Sequence, residues 1–255
     1  MSLPLPYLQQ GSTLSIRSHV PNTQLEIQSQ WRDDGHLDAT GGLKVDITKH
    51  DQDKMTSIGR EATHVSMVFQ GDIEGGTDKD SPSSLATPTA TLTVPEKLNL
   101  DCELEEGGSI TIKNKLEGDV RLITTDGSIT VKKIRGHILS LKASGGAIHI
   151  RELAESQTLT LQSNERIRAK RIHASDMDIT VTVDENESNA EDSECEASPL
   201  AGDDDDDAGA MVDVSSLYIV GDANVQVTTA QQPMLSKKQS RRQAVRIKSH
   251  HGHIH

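Results

Sequence analysis

Four basic residues recur along the middle of the chain at steps of nineteen: Lys113, Lys132, Arg151 and Lys170. Each follows a short run of alternating aliphatic residues, and Arg168 adds a fifth positive charge nearby. Arginine and lysine bind carboxylate, sulfate or phosphate groups through charge-assisted hydrogen bonds. Like charges on neighbouring strands repel each other unless something neutralises them. The pattern predicts an anion- or partner-binding face, although a solvated sheet face explains it without any ligand.

The chain also carries its own polyanion. Thirteen of its 39 acidic residues lie between Asp184 and Asp213, where there is no Lys or Arg, so the other 26 acids balance the 26 bases. We expect residues 184–213 to be a disordered acidic insertion. Ser188 and Ser193 each precede an acidic residue by three positions and are candidate phosphorylation sites. We call the row formed by Lys113, Lys132, Arg151 and Lys170 the basic ladder. Because the acidic segment is tethered to the same chain, it is the favoured occupant of this ladder.

Catalytic and metal-binding patterns are weak. The outward positions of the repeated strands hold no pair of carboxylates, the chain has one Trp, two Tyr and one Phe, and no glycine-rich loop opens a phosphate-binding helix. His253 and His255 share one predicted outward strand face, near enough for adventitious Zn²⁺ or Ni²⁺ binding, and a genuine metal site there is the less favoured interpretation. Cys102 continues an inward alternation and is expected in the core. We therefore predict no enzyme activity, no cofactor and no metal. The alternative is a degenerate carbohydrate-active β-helix, lyase-like or hydrolase-like, which would need Trp31 or Tyr218 beside acids in a cleft.

A repeat positions the basic residues. The motif Gly-Ser-Ile-Thr-Ile at 108–112 returns as Gly-Ser-Ile-Thr-Val at 127–131 and Gly-Ala-Ile-His-Ile at 146–150. Its inward positions form a column at one period: Ile110, Ile129, Ile148 and Ile167. Alternation with period two indicates half-buried strands. Identical columns at a fixed longer period favour stacking in parallel, so we predict an all-β, right-handed parallel β-solenoid with about 19 residues per coil. An antiparallel sandwich of hairpins is the alternative.

A second strand in each coil supplies another set of inward residues. It pairs Leu139 and Leu141 with Leu159 and Leu161, and then with Ile179 and Val181. A corner column is predicted at Ile134, Leu153 and Ile172.

The chain divides into two parts by this pattern. Residues 96–255 are assigned to the solenoid repeats, and residues 1–95 to an irregular β region or opening coils with a flexible loop near 71–90. The last coil is left open at His255, and self-association through that open edge is one expectation.

Residues 96–183, with the motifs above and Thr-Thr-Asp-Gly-Ser-Ile-Thr-Val at 124–131, resemble a known family. They are similar to the bacterial adhesin-like β-strand repeat domains and, more closely, to an uncharacterised animal family named family with sequence similarity 185 member A. The resemblance implies a β-solenoid of unknown biochemical role. It supports a non-enzymatic structural or interaction protein with an unknown protein partner, while nucleic acid is a less favoured ligand.

Targeting signals give an expectation about location. The first ten residues lack a basic, apolar signal sequence, and no apolar run reaches the length of a membrane span. We expect an intracellular, cytoplasmic protein without membrane insertion. The family resemblance implies a mitochondrial location as the alternative.

Overall fold

The chain forms an all-β structure in which strands curl around one aliphatic core. A computed structural model describes residues 1–6, 8–55, 61–71, 87–184, 210–230 and 244–247. These ranges contain sixteen strands and no helix. The first eight are β1 (Ser2–Leu5), β2 (Thr13–Ser18), β3 (Gln24–Gln30), β4 (Gly35–Thr40), β5 (Leu43–Met55), β6 (Glu61–Gly71), β7 (Thr89–Pro95) and β8 (Asn99–Leu104). The others are β9 (Ser109–Glu117), β10 (Val120–Thr124), β11 (Ile129–Ala143), β12 (Ile148–Ser163), β13 (Ile167–Asp184), β14 (Ala210–Ile219), β15 (Ala223–Ala230) and β16 (Ala244–Ile247).

Three long strands, β11, β12 and β13, run through both halves of the sheet. The first half contains β9 and β14, and the second half contains β10 and β15. The first half of β11 pairs with β9 and its second half pairs with β10, both in parallel. In the same way β13 pairs with β14 through its first half and with β15 through its second. The result is one curled, open sheet rather than a stack of separate hairpins.

The repeat places equivalent aliphatic residues directly opposite one another. Ile129 pairs with Ile110 on one side and with Ile148 on the other, and Ile148 pairs in turn with Ile167. All four are fully buried. Parallel strands buried on one face select β-branched and aliphatic side chains, which explains the composition of this column.

The second-strand column differs from its prediction after β12. Leu159 and Leu161 pair with Met177 and Ile179, so Val181 lies one step further along and opposite Ser163. The cause is a β-bulge: three residues of β12 between Ile150 and Ala154 face only two residues of β13. A bulge of this kind shifts the register on one side of it. The spacing between equivalent residues of successive coils is therefore nineteen in the first part of the long strands, ahead of the bulge, but it varies beyond it.

The same bulge changes the corner column. Ala154, rather than Leu153, is the register partner of both Ile134 and Ile172. Leu153 is also buried, so both neighbours are apolar and the sequence pattern alone did not distinguish them.

The first 95 residues enter the same sheet. β2 pairs with β6 and β8, and β3 pairs with β7 and β9, all in parallel. Antiparallel pairs complete this end, with β1 against β4, β4 against β7 and β5 against β6. The division at residue 95 stays a prediction.

Two predicted loops have different boundaries in the structure. Of the flexible loop near 71–90, Gly71 ends β6 and Thr89 begins β7, while residues 72–86 lie outside the described residues. Of the acidic insertion at 184–213, Asp184 ends β13 and residues 210–213 belong to β14. The alternating residues Val212 and Val214 carry the strand pattern there, which the neighbouring acids obscured. Residues 185–209 lie outside the described residues.

The glycine at the start of each repeat is required by close approach between turns. A Cβ atom on Gly127 would lie 2.0 Å from the carbonyl oxygen of Gly108, and one on Gly146 would lie 2.6 Å from that of Gly127. The buried Thr124 hydroxyl donates to the same Gly108 oxygen at 2.6 Å and accepts from the Gly127 amide at 2.9 Å. A side chain at Gly127 or Gly146 would therefore collide with the backbone of the preceding turn.

Stacking of the isoleucine column predicts that two substitutions in β11 lower the free energy of unfolding by very different amounts. Ile129→Ala should lower the free energy of unfolding by about 2–5 kcal/mol, because it leaves a cavity between two fully buried neighbours. Ile138→Ala, at a side chain that is 56% exposed, should cost less than about 1 kcal/mol. Urea unfolding of both variants provides the measurement, and equal losses would contradict the stacked core.

Candidate functional site

The predicted basic ladder lies on the outer face of the first half of the sheet. Lys113, Lys132, Arg151 and Lys170 each follow the second inward residue of β9, β11, β12 and β13, and all four are exposed. Those inward residues pair in register from strand to strand, so the basic residues that follow them are neighbours across the sheet. Regular pairing is interrupted directly after the inward residues, so the members of the row are not register partners themselves. Ser215 of β14 occupies the next position, since Ala169 pairs with Val214.

Acidic neighbours neutralise the first two members. The Lys113 ammonium group lies 3.1 Å from a carboxylate oxygen of Glu26, and that of Lys132 lies 3.7 Å from Glu152. The hydrogen bond from the Gln28 side chain, together with Lys113, holds the pKa of Glu26 below its usual value. Exposed ion pairs contribute little to stability. They do reduce the net charge of this end of the ladder.

The other end of the ladder forms a shallow groove on β12, β13 and β14. Its volume is about 190 Å³, and the core residues Ile150 and Ala169 are among the residues that line it. The polar residues that line it are His149, Arg151, Arg168, Lys170, Asp213 and Ser215. Within the described residues, no ion pair forms to the side chains of Arg151, Arg168 or Lys170. We call this set of residues the basic groove.

The β12 bulge positions two of these side chains. Arg151 is the first of the three bulge residues, and Lys170 is the first of the two residues that face them on β13. A bulge increases the local twist of a strand and redirects its side chains. The bulge thus lies at the basic groove, which Arg151 and Lys170 both line.

His149 is the titratable residue at the centre of the basic groove. Its register partners are Thr130 on β11 and Arg168 on β13. Burial of the imidazole lowers the pKa of His149, and the positive charges of Arg168, Arg151 and Arg166 lower it further, while Glu165 acts in the opposite direction. The lowered pKa favours the uncharged form of the ring.

Asp213 is the one carboxylate among the residues that line the basic groove. It pairs in register with Arg168 on β13 and with Arg246 on β16. Sequence reasoning missed this residue because it counted Asp213 with the acidic insertion. Its place between Val212 and Val214 was the signal that it belonged to a strand.

The other candidate residues are not part of the basic groove. Cys102 is fully buried, as predicted, and burial raises the pKa of its thiol. Ser188, Ser193, His253 and His255 lie outside the described residues. In the part of the chain that the structure describes, no three His, Cys, Asp or Glu residues are grouped to hold a metal ion.

Membrane crossing by a helix finds no support where the structure can be described. The described ranges contain no helical segment with the length and apolar character that a bilayer span requires.

Comparison with known proteins identifies one related family. The model of the family described as Toastrack DUF4097 matches residues 12–255. No curated protein and no solved structure gives a match. The match extends a β-repeat-like domain well beyond residues 96–183, on which the sequence resemblance rests.

The electrostatics of the groove predict the titration of His149. Its pKa, measured by NMR, should lie below the ordinary value of about 6.5. In the variant Arg168→Gln the pKa of His149 should rise, because the largest of the neighbouring charges has been removed. The variant Lys142→Gln, on the second half of β11, should leave the titration unchanged. A value at or above the ordinary one in the native protein would contradict the described groove.

Proposed function

We propose a function for this chain, which belongs to the Toastrack DUF4097 family: it is a non-enzymatic interaction protein that binds an anionic partner on its basic ladder. The observation that carries the proposal is the grouping of Arg151, Arg168 and Lys170 in one groove, where their side chains form no ion pair within the described residues. Lys113 and Lys132 extend the same surface.

Repulsion between neighbouring cations favours an anion in the basic groove. Arg151 and Lys170 directly follow the paired residues Ile150 and Ala169, so their two positive charges lie on neighbouring strands and repel each other. At the other end of the ladder, Glu26 and Glu152 relieve the same repulsion. An anion in the basic groove would reduce the repulsion between Arg151 and Lys170, as these carboxylates reduce it at Lys113 and Lys132.

The chain's own acidic segment is the first candidate occupant. Residues 185–209 connect β13 to β14, and β14 begins three residues before Asp213 of the groove. A tethered anion competes effectively with partners in solution because its local concentration is high. In this proposal the segment limits binding to partners with enough negative charge to displace it.

The proposal also treats the curled sheet as a right-handed parallel solenoid with coils of about nineteen residues. The nineteen-residue steps from Ile110 to Ile129 to Ile148 to Ile167 support this geometry, while the bulges show that coil length varies. Kinship with the animal family stays a prediction, as do a cytoplasmic location and self-association.

The carbohydrate-enzyme alternative finds less support in the groove. Hydrolysis of a glycosidic bond ordinarily requires two carboxylates. Asp213 is the one carboxylate among the residues that line the groove. Neither Trp31 nor Tyr218 lines it. A partner-binding role needs only the cations that are present.

Heparin-affinity chromatography tests the proposed function. In one variant the eleven acidic residues within 185–209 are replaced by Asn or Gln, which keeps the segment length and the β14 strand. This variant should elute at clearly higher salt than the native chain, because a competing anion has been removed. Adding Arg151→Gln, Arg168→Gln and Lys170→Gln should abolish the gain.

A second triple variant controls for the change in net charge. Lys97→Gln, Arg121→Gln and Lys142→Gln remove the same charge from residues outside the basic groove. If both triple variants reduce heparin retention equally, the ladder is only a solvated sheet face and the proposal is wrong.

A further inference from the structure

The four basic side chains of the groove lie on two neighbouring strands. His149 and Arg168 are register partners on β12 and β13, and Arg151 and Lys170 lie two residues further along the same two strands. Strands lie about 4.8 Å apart and alternate residues about 6.6 Å apart, so the four positions form the corners of a small quadrilateral. Such an arrangement surrounds one compact anion rather than tracking a long one.

The shape and charge of the anion follow from these groups. Two guanidinium groups offer forked donors, Lys170 offers a point charge, and the imidazole offers one further donor. A phosphate monoester presents three terminal oxygens and a charge of about −1.5 to −2 at neutral pH. A carboxylate presents two oxygens in one plane and a single charge. The phosphoryl group therefore uses more of the groove's donors than a carboxylate does.

The surroundings of the groove indicate what carries the phosphoryl group. The cleft is open and small, at about 190 Å³, and His149 is the one aromatic ring that lines it, so a nucleotide base would have little surface for stacking. An extended peptide can cross an open groove on a sheet face with one side chain pointing in. Recognition of phosphorylated segments by clustered arginines is a recurring mode of protein binding.

We propose that the basic groove binds the phosphoryl group of a phosphoserine or phosphothreonine in a partner protein. This inference rests on the proposed function, and it names the ligand for the same site. Arg151 and Arg168 are the principal donors, and Lys170 balances the remaining charge. Ser215 adds a hydroxyl group at the β14 side of the groove.

Asp213 opposes the binding of any anion in the groove. Its carboxylate lies among the lining residues, and Asp213 is the register partner of Arg168. Coulomb repulsion grows with the charge of the ligand, so this carboxylate weakens the binding of a dianion more than that of a single carboxylate. Neutralising Asp213 should therefore strengthen binding, and by a larger factor for a dianion.

His149 reports on occupancy. The charged groups that face it are Arg151 on its own strand, Arg168 on β13, Asp213 on β14, and Glu165 and Arg166 in the turn before β13, while β11 contributes the neutral Thr130. A bound dianion offsets the cationic neighbours and favours the imidazolium form. The titration of His149 should move to higher pH when the ligand binds.

The test measures binding of three synthetic peptides to the full chain by calorimetry at low salt. The peptides share one neutral Gly- and Ala-rich sequence with phosphoserine, glutamate or serine at the centre. We expect the phosphoserine peptide to bind at least about tenfold more tightly than the glutamate peptide, and the serine peptide not to bind. The variant Arg168→Gln should weaken phosphopeptide binding about tenfold or more, as loss of a charge-assisted hydrogen bond does, and Lys142→Gln should change it less than about twofold.

A gain-of-binding variant excludes misfolding as the explanation. Asp213→Asn should tighten binding of the phosphoserine peptide and tighten binding of the glutamate peptide by a smaller factor, because the repulsion that is removed acts more strongly on the dianion. In the native chain, the phosphopeptide should raise the titration midpoint of His149. An unchanged midpoint at saturation would place the ligand elsewhere and overturn the inference.

The outcomes separate this inference from the proposed function. If heparin retention depends on the basic groove but the phosphoserine peptide binds no better than the glutamate peptide, the inference is wrong and the general anion-binding function stands. The same holds if a short oligothymidine binds more tightly than the phosphopeptide. If neither heparin nor phosphopeptide binding responds to groove substitutions, both proposals fail.

Discussion

Parallel pairing of equivalent residues, about 4.8 Å apart, is the constraint on which the rest of this structure depends. It places each isoleucine of the repeat against the isoleucines of the neighbouring strands, so a column of identical side chains fills the core. It also brings successive turns so close that Gly127 has no room for a side chain. Buried hydroxyls at Thr124 and Ser163 then bind the carbonyl oxygens of Gly108 and Gly146 in the turn beside them. The core and the turns of the repeat therefore have one physical cause.

The same constraint creates the electrostatic problem of the outer face. A repeat that duplicates its core residues also duplicates the residue after them, and here that residue is basic four times. At Lys113 and Lys132, ion pairs with Glu26 and Glu152 reduce this repulsion. No corresponding acid reaches Arg151 or Lys170 within the described residues. This difference along the ladder is the basis of the binding site that we propose.

The sequence predicted what depends on the period and missed what depends on local departures from it. The isoleucine column, the buried position of Cys102 and the line of basic residues all follow from a constant step, and the structure places them accordingly. The register of Met177 and Ile179 does not follow from it, because a one-residue bulge in β12 leaves no mark in a pattern of alternating apolar residues.

The candidate site was predictable to the same extent. Arg151 and Lys170 were predicted as members of a row from their spacing, and Arg168 was added because it lies close to them in the sequence. Asp213 was missed because composition assigned it to the acidic segment, although its alternation with Val212 and Val214 placed it in a strand. His149 was seen only as an outward residue of its repeat. Its role as a partner of Arg168 depends on a strand pairing that a single sequence does not specify directly.

The most direct measurement of the central claim is an amide NMR titration of the full chain with inorganic phosphate at low salt. The account predicts chemical-shift changes that cluster at residues 149–151, 168–170 and 213–215, and that saturate together with the shift of the His149 ring. Changes spread evenly over all basic residues, or centred on the second half of the sheet around Arg121 and Lys142, would contradict it.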